Sequence, residues 1–217
     1  MPKSEFAKNL DALQTHVTAF LKPLGFRKKG RTHNRTTEGG LVQAVNFQMG
    51  EYPIGEHYVI PGIRESFYGR FAVNLGVLLP CVYETEWQKP VPEFTQEHFC
   101  TIRNRLGTLA FGTDNWFELT SDIPTLATTL VHFFDELGLP FFEQFPDYHS
   151  VLAYYDAHGD LPFQNQGRAT LEAAIIAHHL GDAHRSQQLL AKAHSIGLKG
   201  FRQYVSTLAH RLGHQLA

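Results

Sequence analysis

An α+β fold, an antiparallel β-sheet packed against helices with a C-terminal helical hairpin extension, is what the sequence predicts. Three observations carry that reading. Phe71, Val73, Leu75 and Val77 alternate with the small or polar Ala72, Asn74 and Gly76, and Leu79 continues the series, the two-residue period of a strand with one apolar face. Phe6, Leu10, Leu13, Val17, Phe20 and Leu21 recur at the three- and four-residue spacing of an amphipathic helix. After residue 167 the composition shifts to Ala, Leu, His and Gln, and the pattern becomes helical.

The elements follow in order. A first helix over residues 6–21 is ended by Pro23 and Gly25. Residues 26–35 read as one extended strand, Glu38-Gly39-Gly40 as a turn and residues 41–48 as the returning strand of a hairpin. Residues 51–68, with Pro53, Gly55, Pro61 and Gly62, make a connection too long to be a bare linker. The strand at 71–79 is expected to be half-buried, and Pro80 stops it; Pro90 and Pro92 mark another loop. Residues 98–109 read as a strand with a turn at Gly107, and 115–119 as a last strand. Ser121 or Asp122 caps a helix over 123–137, with Pro124 in its first turn and Gly138 as its C-terminal cap. Asp147 opens another helix, closed by Gly159. Residues 160–167 read as a linker. Residues 170–180 and 183–194 form an antiparallel helix pair turning at Gly181-Asp182, and 201–212 a final helix. The expected division is an α+β domain at 1–160 and a helical cap at 168–217.

The chain has 217 residues, 43% of them hydrophobic, and its 17 Phe and 8 Tyr supply much of the core volume; disorder is excluded. Nineteen basic against twenty-one acidic side chains leave a net charge of −2, so no global field draws the protein to nucleic acid or a membrane surface. Thirteen His are expected to make the charge sensitive to pH between about 5 and 8, the range of an unperturbed imidazole. Two Cys do not make a disulfide scaffold, the N-terminus lacks an apolar signal core, and no apolar run approaches the roughly 18–20 residues that cross a bilayer. A cytoplasmic protein without a membrane role is expected.

Several spaced motifs occur together: Gly25-Phe26-Arg27-Lys28-Lys29-Gly30-Arg31-Thr32, then Val45-Asn46-Phe47-Gln48, then Phe71-Ala72-Val73-Asn74-Leu75-Gly76. Cys100, Arg103, Arg105-Leu106-Gly107, Trp116-Phe117 and Gly138-Leu139-Pro140-Phe141 continue the series. In this order they resemble the bacterial domain-of-unknown-function family numbered 4304, over roughly the first 150 residues. Two positions depart from the expected pattern: His33, where an aromatic is expected, and Phe117, where a second Trp is expected. The resemblance implies an α+β domain and no activity; it also suggests small immunity-type proteins that block a toxin. Leu180-Gly181-Asp182, with Ala174, Ser186, Leu190 and Ala193, is similar to a tetratricopeptide hairpin. One such hairpin does not bury its own face, so it is expected to dock as a cap.

If residues 26–35 alternate as one strand, Arg27, Lys29, Arg31, His33 and Arg35 share a face with Asn46, Gln48 and Asn74, and Ala72 and Gly76 leave that face open. Arg31, Arg35, Asn46, Gln48 and Asn74 are the candidate partner-binding residues, suited to an acidic protein or to phosphate. A solvated outer face with cross-strand amide bonds is the bland counterpart. Cys100, near Arg103 and Arg105, is a candidate reactive thiol, although a lone Cys is more often core. His178, His179, His184 and His194 do not share metal-ligand spacing; His210 and His214 do, at a helix end. No metal, cofactor or catalytic residue is expected. A non-enzymatic protein-binding role, in its sharpest form an immunity-type toxin inhibitor, leads; a nucleic-acid or phosphate module and an enzyme of unrecognised class are the alternatives.

Overall fold

The computed structural model describes residues 4–50 and 66–216. Helix α1 (Glu5–Leu21) starts at Ser4, whose Oγ accepts from the Ala7 N–H at 3.2 Å, and buries Leu10, Leu13, Val17 and Leu21. One tight turn, Lys22–Leu24, follows. The strands are β1 (Arg27–Lys29), β2 (Thr32–Thr36), β3 (Val42–Met49), β4 (Arg70–Leu78), β5 (Ile102–Arg105) and β6 (Phe117–Glu118). They form one six-stranded antiparallel sheet in the order β1-β2-β3-β4-β5. β3 takes one edge of β4; β5 and β6 divide the other, with β6 in register at Arg70↔Glu118 and Phe71↔Phe117. The fold class is α+β, as the periodicities predict.

Residues 26–35 are not one strand. β1 and β2 form an antiparallel hairpin with Arg27↔Asn34, Lys28↔His33 and Lys29↔Thr32, turning at Gly30-Arg31. Gly30, at φ 61°, supplies the left-handed conformation that a two-residue hairpin turn needs. The strand at β4 is also more buried than alternation implies. Every residue from Phe71 to Leu78 is buried, Asn74 and Gly76 included.

Pro80 does not stop the chain but opens a helix, α2 (Pro80–Trp87), where its missing N–H would have no intrahelical partner. The stretch 98–109 holds a 3-10 turn (Glu97–Phe99), then β5, then helix α3 (Leu106–Phe111). Gly107 is inside that helix, not in a turn. A Cβ there would lie 2.1 Å from the Asn115 carbonyl oxygen, so close approach requires the glycine.

Helix α4 (Ile123–Phe133) is capped by Asp122 and does not end at Gly138. It passes through one π turn (Phe134–Gly138) into α5 (Leu139–Glu143). The Leu139 N–H reaches back five residues to Phe134, and Pro140 has no N–H to continue an α ladder. α6 (Tyr148–His158) has a reciprocal cap between Asp147 and Ser150 and ends at Gly159. α7 (Gln166–His179), α8 (Ala183–Ile196) and α9 (Lys199–Arg211) complete the chain. α7 begins four residues earlier than expected, on the Asn165 cap, so it takes in the end of the expected linker.

Two compact units emerge. One comprises residues 1–35, 44–75 and 104–141, and within it α1 packs on α4. The other comprises residues 36–43, 76–103 and 142–217, and within it α7 lies against α2, α6 and α8, while α9 lies against α8 and α2. No helix among the described residues is long and apolar enough to cross a membrane.

Candidate functional site

The hairpin turn at Gly30-Arg31 changes which side chains share a face. Residues directly opposite in an antiparallel pair point the same way. Arg27, Lys29, Thr32 and Asn34 therefore share one face, and Lys28, His33 and Arg35 the other. The expected common face of all five cations is overturned. His33 is fully buried, its Nε2 2.8 Å from Thr18 Oγ1 on α1 and its ring 6.0 Å from Phe47. Burial pulls the His33 imidazole down to about 4, with Lys28 adding repulsion.

Arg31 and Arg35 do not join the amides. Arg31 sits in the turn, 3.8 Å from Asp11. Arg35 lies over the Phe26 ring at 4.7 Å and donates from Nη1 to the Leu24 carbonyl at 3.1 Å. It anchors the chain where it leaves α1, a structural duty.

Two of the three amides, Asn74 and Gln48, come together. Asn46 donates to Thr32 Oγ1 at 2.9 Å, and Asn74 donates to Gln48 Oε1 at 3.0 Å. Their cationic neighbour is Arg105, whose Nε donates to Asn74 Oδ1 at 3.0 Å and whose Nη1 contacts both Asp114 oxygens at 2.6 Å. Asn74 is 4% exposed, so this network braces the strands rather than presenting amides to a partner. Gln48 stays exposed.

What remains at the surface is the terminal strand. Arg27, Lys28 and Lys29 are all exposed, at the end of the sheet order. Three cations in sequence reach both faces of the edge, and Arg31 follows in the turn.

Cys100 is buried, and that burial pushes its thiol well up despite Arg103. Arg103 is instead held by Glu97, its Nε donating to Oε1 at 2.6 Å. The expectation of a reactive thiolate is thereby corrected. Cys100 also closes the face over Gly76, where a Cβ would fall 2.7 Å from its Sγ; the expected opening is filled. Among the described residues, no three His, Cys, Asp or Glu side chains gather as a metal site. His178 and His214 have ring centres 5.5 Å apart. Residues 51–65, most of the long connection, lie outside the described residues.

The profile of a family described as Domain of unknown function (DUF4304) matches residues 17–144, more than half of the chain. The chain belongs to this family. No curated protein and no solved structure matches it. The DUF4304 segment contains all six strands of the described residues and stops before α6. The exposed edge strand β1 is thus part of the DUF4304 domain itself. Its cations were visible in the sequence, but their facing was not, because the positive φ of Gly30 had to be recognised as a hairpin turn inside a run of alternating charges. Arg105, the true partner of the DUF4304 amide network, gave no periodic signal; it meets Asn74 only through the sheet.

Proposed function

We propose that this DUF4304 protein is a cytoplasmic binding protein that docks an acidic protein partner along the β1–β2 edge, in its sharpest form as an immunity-type inhibitor of a toxin. The observation that carries this reading is Arg27-Lys28-Lys29, three exposed cations on the terminal strand of the sheet. Such a patch steers an acidic surface and sets its register. Nucleic acid fits less well, because the whole chain carries −2 and the cations are confined to one short edge. Cations on an edge strand also deter strand-to-strand aggregation, so the test must separate the two roles.

The experiment compares the full chain with an Arg27→Glu, Lys28→Glu double variant. Both positions are exposed, so stability should change by no more than about 0.5 kcal/mol in thermal unfolding. Partner capture from nuclease-treated extract of the native cell should be lost in the variant and retained by the parent chain. Full recovery of the same partner by the folded variant would overturn the reading. A bound species that disappears on nuclease treatment, with affinity falling steeply with salt, identifies nucleic acid instead. A variant that only aggregates, with nothing captured by either form, reduces the edge to protection against self-pairing.

A further inference from the structure

The unit formed by residues 36–43, 76–103 and 142–217 contains a cavity of about 130 Å³ that the sheet edge does not use. Its apolar wall is aromatic. Tyr83 and Trp87 on α2 stack at 6.1 Å, and Phe99 stands edge-on to both, at 5.8 and 6.2 Å. Trp87 is 55% exposed, so the cavity reaches solvent beside it.

The polar wall is an ion cluster. Arg168 and Glu172 lie one turn apart on α7, and Glu86 lies near the end of α2. Arg168 Nη2 donates to Glu86 Oε2 at 2.5 Å, and its Nε donates to Glu172 Oε1 at 2.7 Å. Gln164 Nε2 adds a second donor to Glu172 Oε1 at 3.3 Å. The Tyr204 side chain also bonds Glu86 and Arg168, but it brings no charge: one guanidinium faces two carboxylates, which leaves one negative charge uncompensated when both are ionised. Glu172 is only 1% exposed, yet its Oε2 has no hydrogen-bond partner, and neither has Glu86 Oε1. Buried carboxylate oxygens are costly to leave unbonded. Both residues line the cavity.

We propose that this cavity binds a primary alkylammonium group, with its N–H donors on Glu86 Oε1 and Glu172 Oε2 and its carbon chain against Trp87 and Phe99. Its single positive charge balances the second carboxylate once both are ionised. Its N–H donors satisfy the two orphaned oxygens, which a quaternary ammonium lacks the hydrogens to do. The aromatic wall attracts a cation and accepts the alkyl stem. A divalent metal ion would find only two carboxylates here, already shared with Arg168, and an anion would be repelled. Burial raises the Glu172 carboxyl to about 8, with Arg168 opposing and Glu86 adding to the rise. A second cation would hold Glu172 ionised.

The test uses isotope-labelled full-length protein. The Trp87 indole and Thr101 amide resonances are followed while n-propylammonium chloride is added at constant ionic strength. Both should shift saturably, while the Trp116 indole and a sodium chloride control should not move. Tetramethylammonium, equal in charge but without N–H groups, should bind at least about tenfold more weakly. Glu172→Gln should weaken binding by a similar factor. Trp87→Ala, at an exposed position, should do so by about tenfold as read at Thr101, and it decides the matter if Glu172→Gln does not fold. Nα-acetyl-lysine methylamide separates the sources. Binding of propylammonium alone assigns a small free amine; binding of the lysine derivative assigns the end of a longer chain. No saturable shift with either amine, equal binding of tetramethylammonium, or wild-type affinity in the folded variants overturns the proposal.

Discussion

His33 illustrates how one side chain answers to its surroundings. It occupies a position where the family pattern leads one to expect an aromatic, and it sits like one, buried beside Phe47. The Thr18 hydroxyl gives its proton to the Gln14 carbonyl at 2.6 Å, so His33 Nε2–H is the donor to Thr18 Oγ1. Burial holds the imidazole down to about 4, so the ring is neutral near pH 7 in the folded chain. Its value of about 4 lies below the 6.5 of the unfolded chain, so the unfolded state binds the proton first as pH falls. Stability is fully present above about pH 6.5 and is lost progressively toward pH 4. The difference is worth roughly 3 kcal/mol at most. His33→Phe should flatten the stability profile between pH 6.5 and 4 in denaturant titrations, at the cost of one hydrogen bond near neutrality. An unchanged acid slope would move the sensitivity to another group. Phe117, the other departure, also fills an aromatic site, with Phe71 at 5.5 Å and Phe111 at 6.1 Å.

At the scale of elements, β4 is the sharpest case. Alternation at Phe71, Val73, Leu75 and Val77 correctly marks a strand, and a half-open strand would tolerate Gly76→Ala or gain from it. The folded strand is covered on both faces. A Cβ at Gly76 would meet the Cβ and Sγ of Cys100, both at 2.7 Å, and neither is the end of a long flexible side chain. Gly76→Ala is therefore expected to destabilise by about 1–3 kcal/mol in chemical denaturation. A neutral or stabilising result would mean that Cys100 yields easily. The run from α4 through the π turn to α5 teaches the same lesson in a helix. Gly138 resembled a cap, but a Cβ there would lie 3.0 Å from Phe134 Cδ1, so packing accounts for the glycine.

For the molecule as a whole, the helical tail is structural in its own unit. Residues Ala169 to Ala177 of α7 are buried without interruption, including Thr170 and Glu172. A helix buried all round is a core element rather than a surface appendage. α8 and α9 bury Leu190, Ala193, Val205 and Leu208. Deleting residues 170–217 would expose the face of α2 that α7 and α9 cover. The truncated chain is expected to melt lower, bind a hydrophobic dye and aggregate. Melting that matches the full chain would instead make the tail an independent module.

Local chemistry alone determined much of this protein. Period-two and period-3.6 patterns located β4, α1, α4 and the tail helices; Asp147 and Gly159 bounded α6; and the ordered motifs pointed to DUF4304. These signals act within a few residues, where propensity, capping and alternation are decided. α2 escaped notice because eight residues with mixed polarity carry no period, and Pro80 reads equally as a stop or a start. Which cations face which way was decided by one turn at Gly30, and a single such turn redirects every side chain after it. The pairing of Arg105 with Asn74, the cover of Cys100 over Gly76 and the meeting of Glu86 with Arg168 and Glu172 join residues 24 to 86 positions apart in the chain. Only tertiary packing brings such groups together, because contact between them is set by where the sheet and helices place them and not by any spacing along the sequence.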